Sequence, residues 1–416
     1  MDVTVDGERL RADIEQNAEF GALDVEEGRG RTVLAGTDAN RRAREFFVSR
    51  LEDAGLDVRV DAVGNVVGRL TPPSADPDAA PVAAGSHLDS VPAGGIFDGP
   101  LGVYGALEAV RAMQDAGVEP TRPVEVVSFT EEEGQRFADG LLGSSVATGR
   151  RPVEEALALE DADGVSLDTA LDEIGFRGEG RVDAREWDAW VELHVEQSTR
   201  LESAGVPVGV VTDITGITHC HVTVEGEADH AGATPMADRT DALAAASEVV
   251  LDVERAARDA ADRTGTAVGT VGSLDVTPNA TNVVPGRVEL GVDVRDVDYG
   301  TMNEVVDRTR DALDRVVAER GVETSFERPF DVEPVAMDER VRAASHEAAA
   351  TAGLDAPDLH SGAAHDTMHV GRCTDVGMLF ARSRDGVSHN PKEWTDWDDC
   401  AAAVRVLAGT LARLSR

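Results

Sequence analysis

Residues 81–116 read PVAAGSHLDSVPAGGIFDGPLGVYGALEAVRAMQDA. The apolar run over 81–86 predicts a short strand, a glycine-rich turn follows, and helical spacing of apolar residues predicts a helix over about 100–116. The same alternation extends on both sides. Residues 39–54 show apolar spacing close to 3.6 and stop at Gly55, a natural helix end. Short β-type runs follow at 58–60 and 63–70, and 71–81, rich in Pro, Ala and Asp, reads as a surface loop. A further apolar strand over 123–129 ends abruptly in three glutamates, and 187–194 reads as one more strand. Strand–helix alternation of this kind predicts an α/β domain with a mixed, mostly parallel sheet flanked by helices.

The middle of the chain has a different rhythm. Strands near 217–225, 266–275, 286–295 and 322–328 alternate with helices at about 238–260 and 301–319. That order, β-α-β-β-α-β, is the ferredoxin-like pattern. The last 80 or so residues return to helix and strand and end in an alanine-rich helix over 396–414. The expected architecture is one α/β domain, residues 1–213 and 329–416, interrupted by a ferredoxin-like α+β insert over 214–328.

Composition removes several classes of function. The 416 residues carry 79 Asp+Glu against 39 Lys+Arg, a formal charge of −40. Phosphate backbones are bound by basic patches, so nucleic acid is not an expected partner. No stretch of about 20 apolar residues predicts a membrane-spanning helix, and the acidic, polar opening predicts no secretory leader. A cytoplasmic protein is expected. Lys392 is the only lysine. Such a charge self-repels at low ionic strength, whereas molar salt shrinks the Debye length to about 3 Å. A salt-rich cytoplasm is the expectation, although a GC-rich genome also favours arginine over lysine. Cys220, Cys373 and Cys400 form no CxxC pair and are expected to be reduced and structural.

Ligand-type side chains cluster just past the predicted strands, where open α/β sheets place their ligands. The clusters are residues 85–90 (GSHLDS) with 94–99 (GGIFDG), 130–134 (TEEEG), 192–197 (ELHVEQ) and 388–391 (SHNP). Imidazole with carboxylate is the donor set of a catalytic metal site, and a binuclear site needs a carboxylate that bridges. His87 and Asp98 suit a ligand and a bridge, and Asp89 suits the orientation of the His87 ring. One of the adjacent glutamates suits the metal and its neighbour the proton transfer. Each motif alone has an ordinary explanation: a histidine beside a strand is more often a structural hydrogen-bonder, and three glutamates in an acidic chain are usually a solvated loop. Four such motifs at strand ends carry the argument together. His219, His221, His346, His360 and His369 lack that context and are expected to be structural.

At this point the chain resembles a known family. HLDSVPAGGIFDGPLGV, FTEEEGQRF, ELHVEQ, HAGATPM with Arg239, NVVPG with DVR, and SHNPKE are similar to the binuclear metal amidases. These are the N-carbamoyl-L-amino-acid hydrolases, β-ureidopropionases and allantoate amidohydrolases, relatives of the co-catalytic zinc aminopeptidases. The resemblance runs in order from about residue 30 to 400. It implies two divalent cations, Zn²⁺ first with Mn²⁺, Co²⁺ or Ni²⁺ as alternatives. His87 and His194 would hold one, Glu133 and His389 the other, with Asp98 bridging. Glu132 would be the general base and then the acid toward the leaving nitrogen. His230 would stabilise the tetrahedral intermediate, Gln197 would contact the ureido group, and Asn282 with Arg295 would grip the substrate carboxylate. The family's insert serves as lid and dimerisation domain, which implies a homodimer through 214–328.

Two positions depart from the family's pattern. Ser198 follows the HVEQ motif where glycine is usual, and Ala364 replaces a glycine in 361–366 (SGAAHD). Neither removes a ligand. The expected reaction is hydrolysis of N-carbamoyl-L-amino acids, a small substrate with a ureido group and a carboxylate. The rivals are allantoate and β-ureidopropionate hydrolysis, then a di- or aminopeptidase, then a non-catalytic scaffold. Ile217 stands where allantoate enzymes carry a polar residue, and EEEGQRF with HVEQ argues against a peptidase.

Overall fold

The computed structural model describes residues 3–138 and 140–416. Two compact units divide the chain, one formed by 1–212 and 337–416 and the other by Asp213–Ala336. The return crossing lies beyond the expected residue 328, because the strand Glu323–Val332 runs through it.

The mixed sheet of the first unit has four parallel strands at its centre, in the order Val124–Phe129, Val82–His87, Ala189–Val195, Asp375–Ala381. Antiparallel strands flank them, Val66–Leu70 on one side and Val208–Ile214 on the other. The first three central strands are buried at every position, which is why they read as near-continuous apolar runs. Helix Pro100–Asp115 packs on Val82–His87 and Ala189–Val195, and helices Glu339–Ala352 and Trp397–Leu414 pack in the same layer. The predicted helix over 39–54 is Asp38–Asp53, capped at its start by the Thr37 hydroxyl and followed by Gly55 at φ 78°. The core joins strand residues such as Val82, Val126 and Val191 to Leu101, Leu107 and Leu407 of the helices.

The second unit is a four-stranded antiparallel sheet in the order Glu323–Val332, Gly216–Glu225, Arg287–Asp296, Val268–Thr277. In chain order that is fourth–first–third–second, the ferredoxin-like arrangement. Helices Ala242–Thr264 and Tyr299–Arg320 cover one face, where Val222, Val224, Leu290, Val292 and Val294 are buried. A two-stranded ribbon, Asp229–His230 with Val283–Val284, stands apart from that sheet. Among the described residues no helix is long and apolar enough to cross a membrane.

Candidate metal centre

The central strands deliver their ligand-type residues at their carboxyl ends. His87 closes Val82–His87, residues 131–133 follow Val124–Phe129, His194 is penultimate in Ala189–Val195, and His389 lies in the loop after Asp375–Ala381. Asp98 arrives on the turn into helix Pro100–Asp115. Gly99 makes that turn possible: its φ is 81°, and a Cβ there would sit 2.6 Å from Nδ1 of His87.

Nε2 of His194 lies 3.0 Å from Oδ1 of Asp98, and Nε2 of His87 lies 3.6 Å from the same oxygen. The other Asp98 oxygen, Oδ2, lies 3.4 Å from Nε2 of His389, which is itself 3.3 Å from Oε2 of Glu133. Oε2 of Glu132 is 3.7 Å from Nε2 of His87. Three overlapping groups result, His87–Asp98–His194, His87–Glu132–Glu133 and Asp98–Glu133–His389, each with its ligand atoms within 4.8 Å of one another. His389 is half exposed, whereas His87, His194 and Asp98 are buried.

Local hydrogen bonds aim the imidazoles. Nδ1 of His87 lies 3.2 Å from the Asp89 carbonyl oxygen, and Nδ1 of His194 lies 3.0 Å from that of Val195. A carbonyl only accepts, so each ring carries hydrogen on Nδ1 and turns Nε2 toward the carboxylates. It is therefore the backbone of Asp89 that orients His87, since its carboxylate stands 3.8 Å away. The Asp89 side chain instead accepts the Glu133 N–H at 3.1 Å. Gln197, at φ 57°, donates from Nε2 to Oδ2 of Asp98 at 3.0 Å.

The electrostatics suit a cation. Nε2 of His87 is buried without a hydrogen-bond partner. Burial pushes Glu133 up to about 8 and Glu132 well above the usual carboxylate range, and neighbouring carboxylates add to both effects. Burial opposes the charged forms of His87 and Asp98 too. For these two the opposite charges beside them win, lifting His87 well above and holding Asp98 well below its ordinary value. Four acidic side chains crowding two buried imidazoles make an excess of negative charge that a divalent cation relieves.

Several supporting residues escaped sequence reasoning. Glu393, buried, accepts the N–H groups of Phe97 and Asp98 through Oε1, at 2.8 and 3.0 Å. Ser388 lies between the Asp98 and Glu393 carboxylates, 2.6 and 3.0 Å from them. His365 is buried with its ring 4.4 Å from that of His194. Glu192 accepts from Ser86 and Thr367 beneath the site. Their signal was the spacing within SHNPKE, SGAAHD and ELHVEQ, which marks a loop or a strand end but not which side chain turns inward.

The remaining candidates lie in the second unit. His230 is exposed, and its Nδ1 accepts the N–H groups of Gly232 and Ala233 at 3.0 and 3.1 Å, leaving Nε2 as a donor in the neutral ring. Asn282 lies beside it, its carbonyl accepting the Ala231 N–H. Arg295 is not brought to them. It sits toward the far end of strand Arg287–Asp296, about 27 Å along from Arg287 at ~3.4 Å per residue. Its guanidinium is bonded to Asp293. Among the histidines expected to be structural, His219 pairs with Asp293, His346 with Asp358 and His360 with Arg200. The three cysteines are free, and none enters a metal-ligand group among the described residues.

Comparison with known proteins identifies the family. Residues 83–413 match the family described as Peptidase family M20/M25/M40. The chain is 42% identical to an N-carbamoyl-L-amino acid amidohydrolase of Geobacillus stearothermophilus, over 99% of each sequence. It is 36% identical to an allantoate amidohydrolase of Bacillus subtilis, over 97% of this chain and 96% of that one. A crystal structure of an amidase of the hydantoinase/carbamoylase family from Burkholderia multivorans superposes with a TM-score of 0.91 at 38% identity, covering 99% of this chain and 98% of that one. The chain belongs to peptidase family M20/M25/M40 and, within it, to the metal-dependent amidohydrolases that cleave linear C–N bonds.

Proposed function

We propose that this enzyme hydrolyses N-carbamoyl-L-amino acids to the L-amino acid, CO₂ and ammonia, with two divalent cations shared across Asp98. The observation that carries the reading is the division of labour on one carboxylate: Oδ1 faces His87 and His194, Oδ2 faces His389. His87 and His194 would hold one ion, Glu133 and His389 the other, and the nitrogen–oxygen donor set suits Zn²⁺ first, with Mn²⁺, Co²⁺ or Ni²⁺ as alternatives. Bound there, the ions would lower the pKa of water and polarise the ureido carbonyl.

The protein's own groups do the rest. Glu132 takes a proton from the attacking water and returns it to the departing nitrogen. His230 donates from Nε2 to the oxygen that gains charge. Gln197, held at Asp98, meets the ureido group, and Asn282 and Arg295 take the substrate carboxylate. The carbamate released from one C–N bond falls apart to CO₂ and ammonia, so one water balances the reaction.

Within one chain, Asn282 with His230 and Arg295 lie toward opposite ends of the insert's sheet, too far apart for both to reach one small substrate. A homodimer through residues 213–336 resolves this, each subunit lending one end of its insert. Strand Val268–Thr277 is an edge of that sheet and exposes Val268 and Leu274, the kind of edge a second copy covers. The test is ammonia release in molar KCl with Zn²⁺ or Mn²⁺, from N-carbamoyl-L-methionine and from allantoate, with EDTA as control. Release from the carbamoyl amino acid, abolished by EDTA, is expected. Release from allantoate alone would move the enzyme to that substrate.

A further inference from the structure

The face of the insert's sheet opposite its two helices carries two adjacent cross-strand rows. In one, Arg295 stands between Ile217 and Val268, its register partners on the neighbouring strands. In the next, Asp293 stands between His219 and Thr270, and His219 lies opposite Phe330. Residues at i and i+2 of a strand share a face. Asp293 and Arg295 therefore point the same way, while Val292, Val294 and Asp296 are buried on the other side.

Asp293 grips the guanidinium from its flank. Nε of Arg295 donates to Oδ1 at 3.0 Å and to Oδ2 at 3.2 Å, and Nη2 donates to Oδ2 at 3.1 Å. The grip is itself braced. Nε2 of His219 lies 3.1 Å from Oδ2 of Asp293, and the His219 ring stacks on Phe330 with centroids 5.1 Å apart and planes at 27°. Every member of this row is anchored to sheet backbone, so an otherwise flexible side chain is held in one orientation.

Two effects of Asp293 on a ligand carboxylate oppose each other. Its charge repels a second carboxylate brought to the same guanidinium, and its hydrogen bonds remove the rotamer freedom that Arg295 would lose on binding. The pair is partly exposed, with side-chain accessibilities of 34% for Arg295 and 28% for Asp293. Solvent and salt screen the repulsion, most of all at molar ionic strength, whereas they leave the orientational constraint intact. The constraint wins. We propose that Asp293, braced by His219, is a positioning residue that presents Arg295 to the substrate carboxylate. This role rests on the carboxylate clamp proposed above.

The experiment compares KM and kcat for N-carbamoyl-L-methionine and for its C-terminal amide, in the metal-loaded wild type and in Asp293→Ala, Asp293→Asn and Arg295→Ala, each first checked for an unchanged melting temperature. Asp293→Ala raises KM for the acid about two- to fivefold, the range of a partly exposed ion pair, with a smaller change in kcat and none in KM for the amide. Asp293→Asn, which keeps an oxygen to accept from Nε, lies between. Arg295→Ala raises KM for the acid further. An acid KM in Asp293→Ala equal to or below the wild-type value overturns the role, as does an equal rise for acid and amide. If Arg295→Ala shows no acid-specific loss, the clamp itself falls and takes this role with it. That failure is distinct from a silent Asp293→Ala beside an affected Arg295→Ala.

Discussion

The buried carboxylate of Glu393 accepts the backbone N–H of Asp98 at 3.0 Å, joining residues 295 positions apart in the chain. The same side chain faces Ser388, next to His389, so one carboxylate ties the loop that carries Asp98 to the loop that carries His389. Groups behind metal ligands commonly set affinity by about 10- to 100-fold. Glu393→Ala is therefore expected to weaken metal binding on that scale, read by competition with a chromogenic chelator. Glu393→Gln, which keeps an acceptor for the two N–H groups, is expected to lose less. Equal affinity in Glu393→Ala and wild type would show that the tie does not matter.

Glu132 belongs to one candidate ligand group but is not among the five residues proposed to hold metal, which allows binding and proton transfer to be separated. Glu132→Gln is expected to lower kcat by about 10²- to 10⁴-fold, the usual weight of a general base, while metal content stays at the wild-type level. Loss of metal in step with activity would instead make Glu132 a ligand.

Chelation should reveal the strained carboxylates through pH. Burial, with the nearby carboxylates, lifts Glu133 to about 8, and burial with Asp89 lifts Glu131 to about 7. The folded, metal-free chain thus holds protons that the unfolded chain releases above about pH 4.5, so this contribution to stability is complete at low pH and is lost as pH rises toward 8. The melting temperature of the EDTA-treated enzyme is expected to fall between pH 5 and 8 more steeply than that of the metal-loaded enzyme. Parallel curves would contradict the charge account of the site.

Much of this was legible in the sequence, for physical reasons that differ by element. Strands Val82–His87 and Val124–Phe129 are buried throughout and therefore read as apolar runs. The insert's strands alternate, and the regular burial of Val288, Leu290, Val292 and Val294 follows from period two. That His87, Asp98, Glu133, His194 and His389 come together was legible from motif spacing combined with family resemblance. Glu393 was not, because in a chain with 79 acidic residues a buried glutamate reads like a solvated one. Nor was the distance between Asn282 and Arg295: 13 residues look close until nine of them, 287–295, lie in an extended strand. The Asp293–Arg295 pair did leave a signal, since D-x-R on a strand puts both side chains on one face.

The charge of −40 predicts salt dependence. Repulsion between surface carboxylates reaches about 10 Å at 0.1 M salt and about 3 Å at 1 M. The melting temperature is expected to climb with KCl and to level off near 1 M. A melting temperature independent of KCl would mean that the acidic surface does not limit stability.

The most direct measurement counts metal. Apoenzyme is titrated with Zn²⁺ or Mn²⁺ while bound metal per chain and ammonia release from N-carbamoyl-L-methionine are followed together, in the wild type and in Asp98→Ala. Activity is expected to saturate only as occupancy reaches two ions per chain, and Asp98→Ala is expected to hold fewer ions and to be inactive. Full activity at one ion per chain, or an active Asp98→Ala enzyme, would contradict a two-ion centre bridged by Asp98.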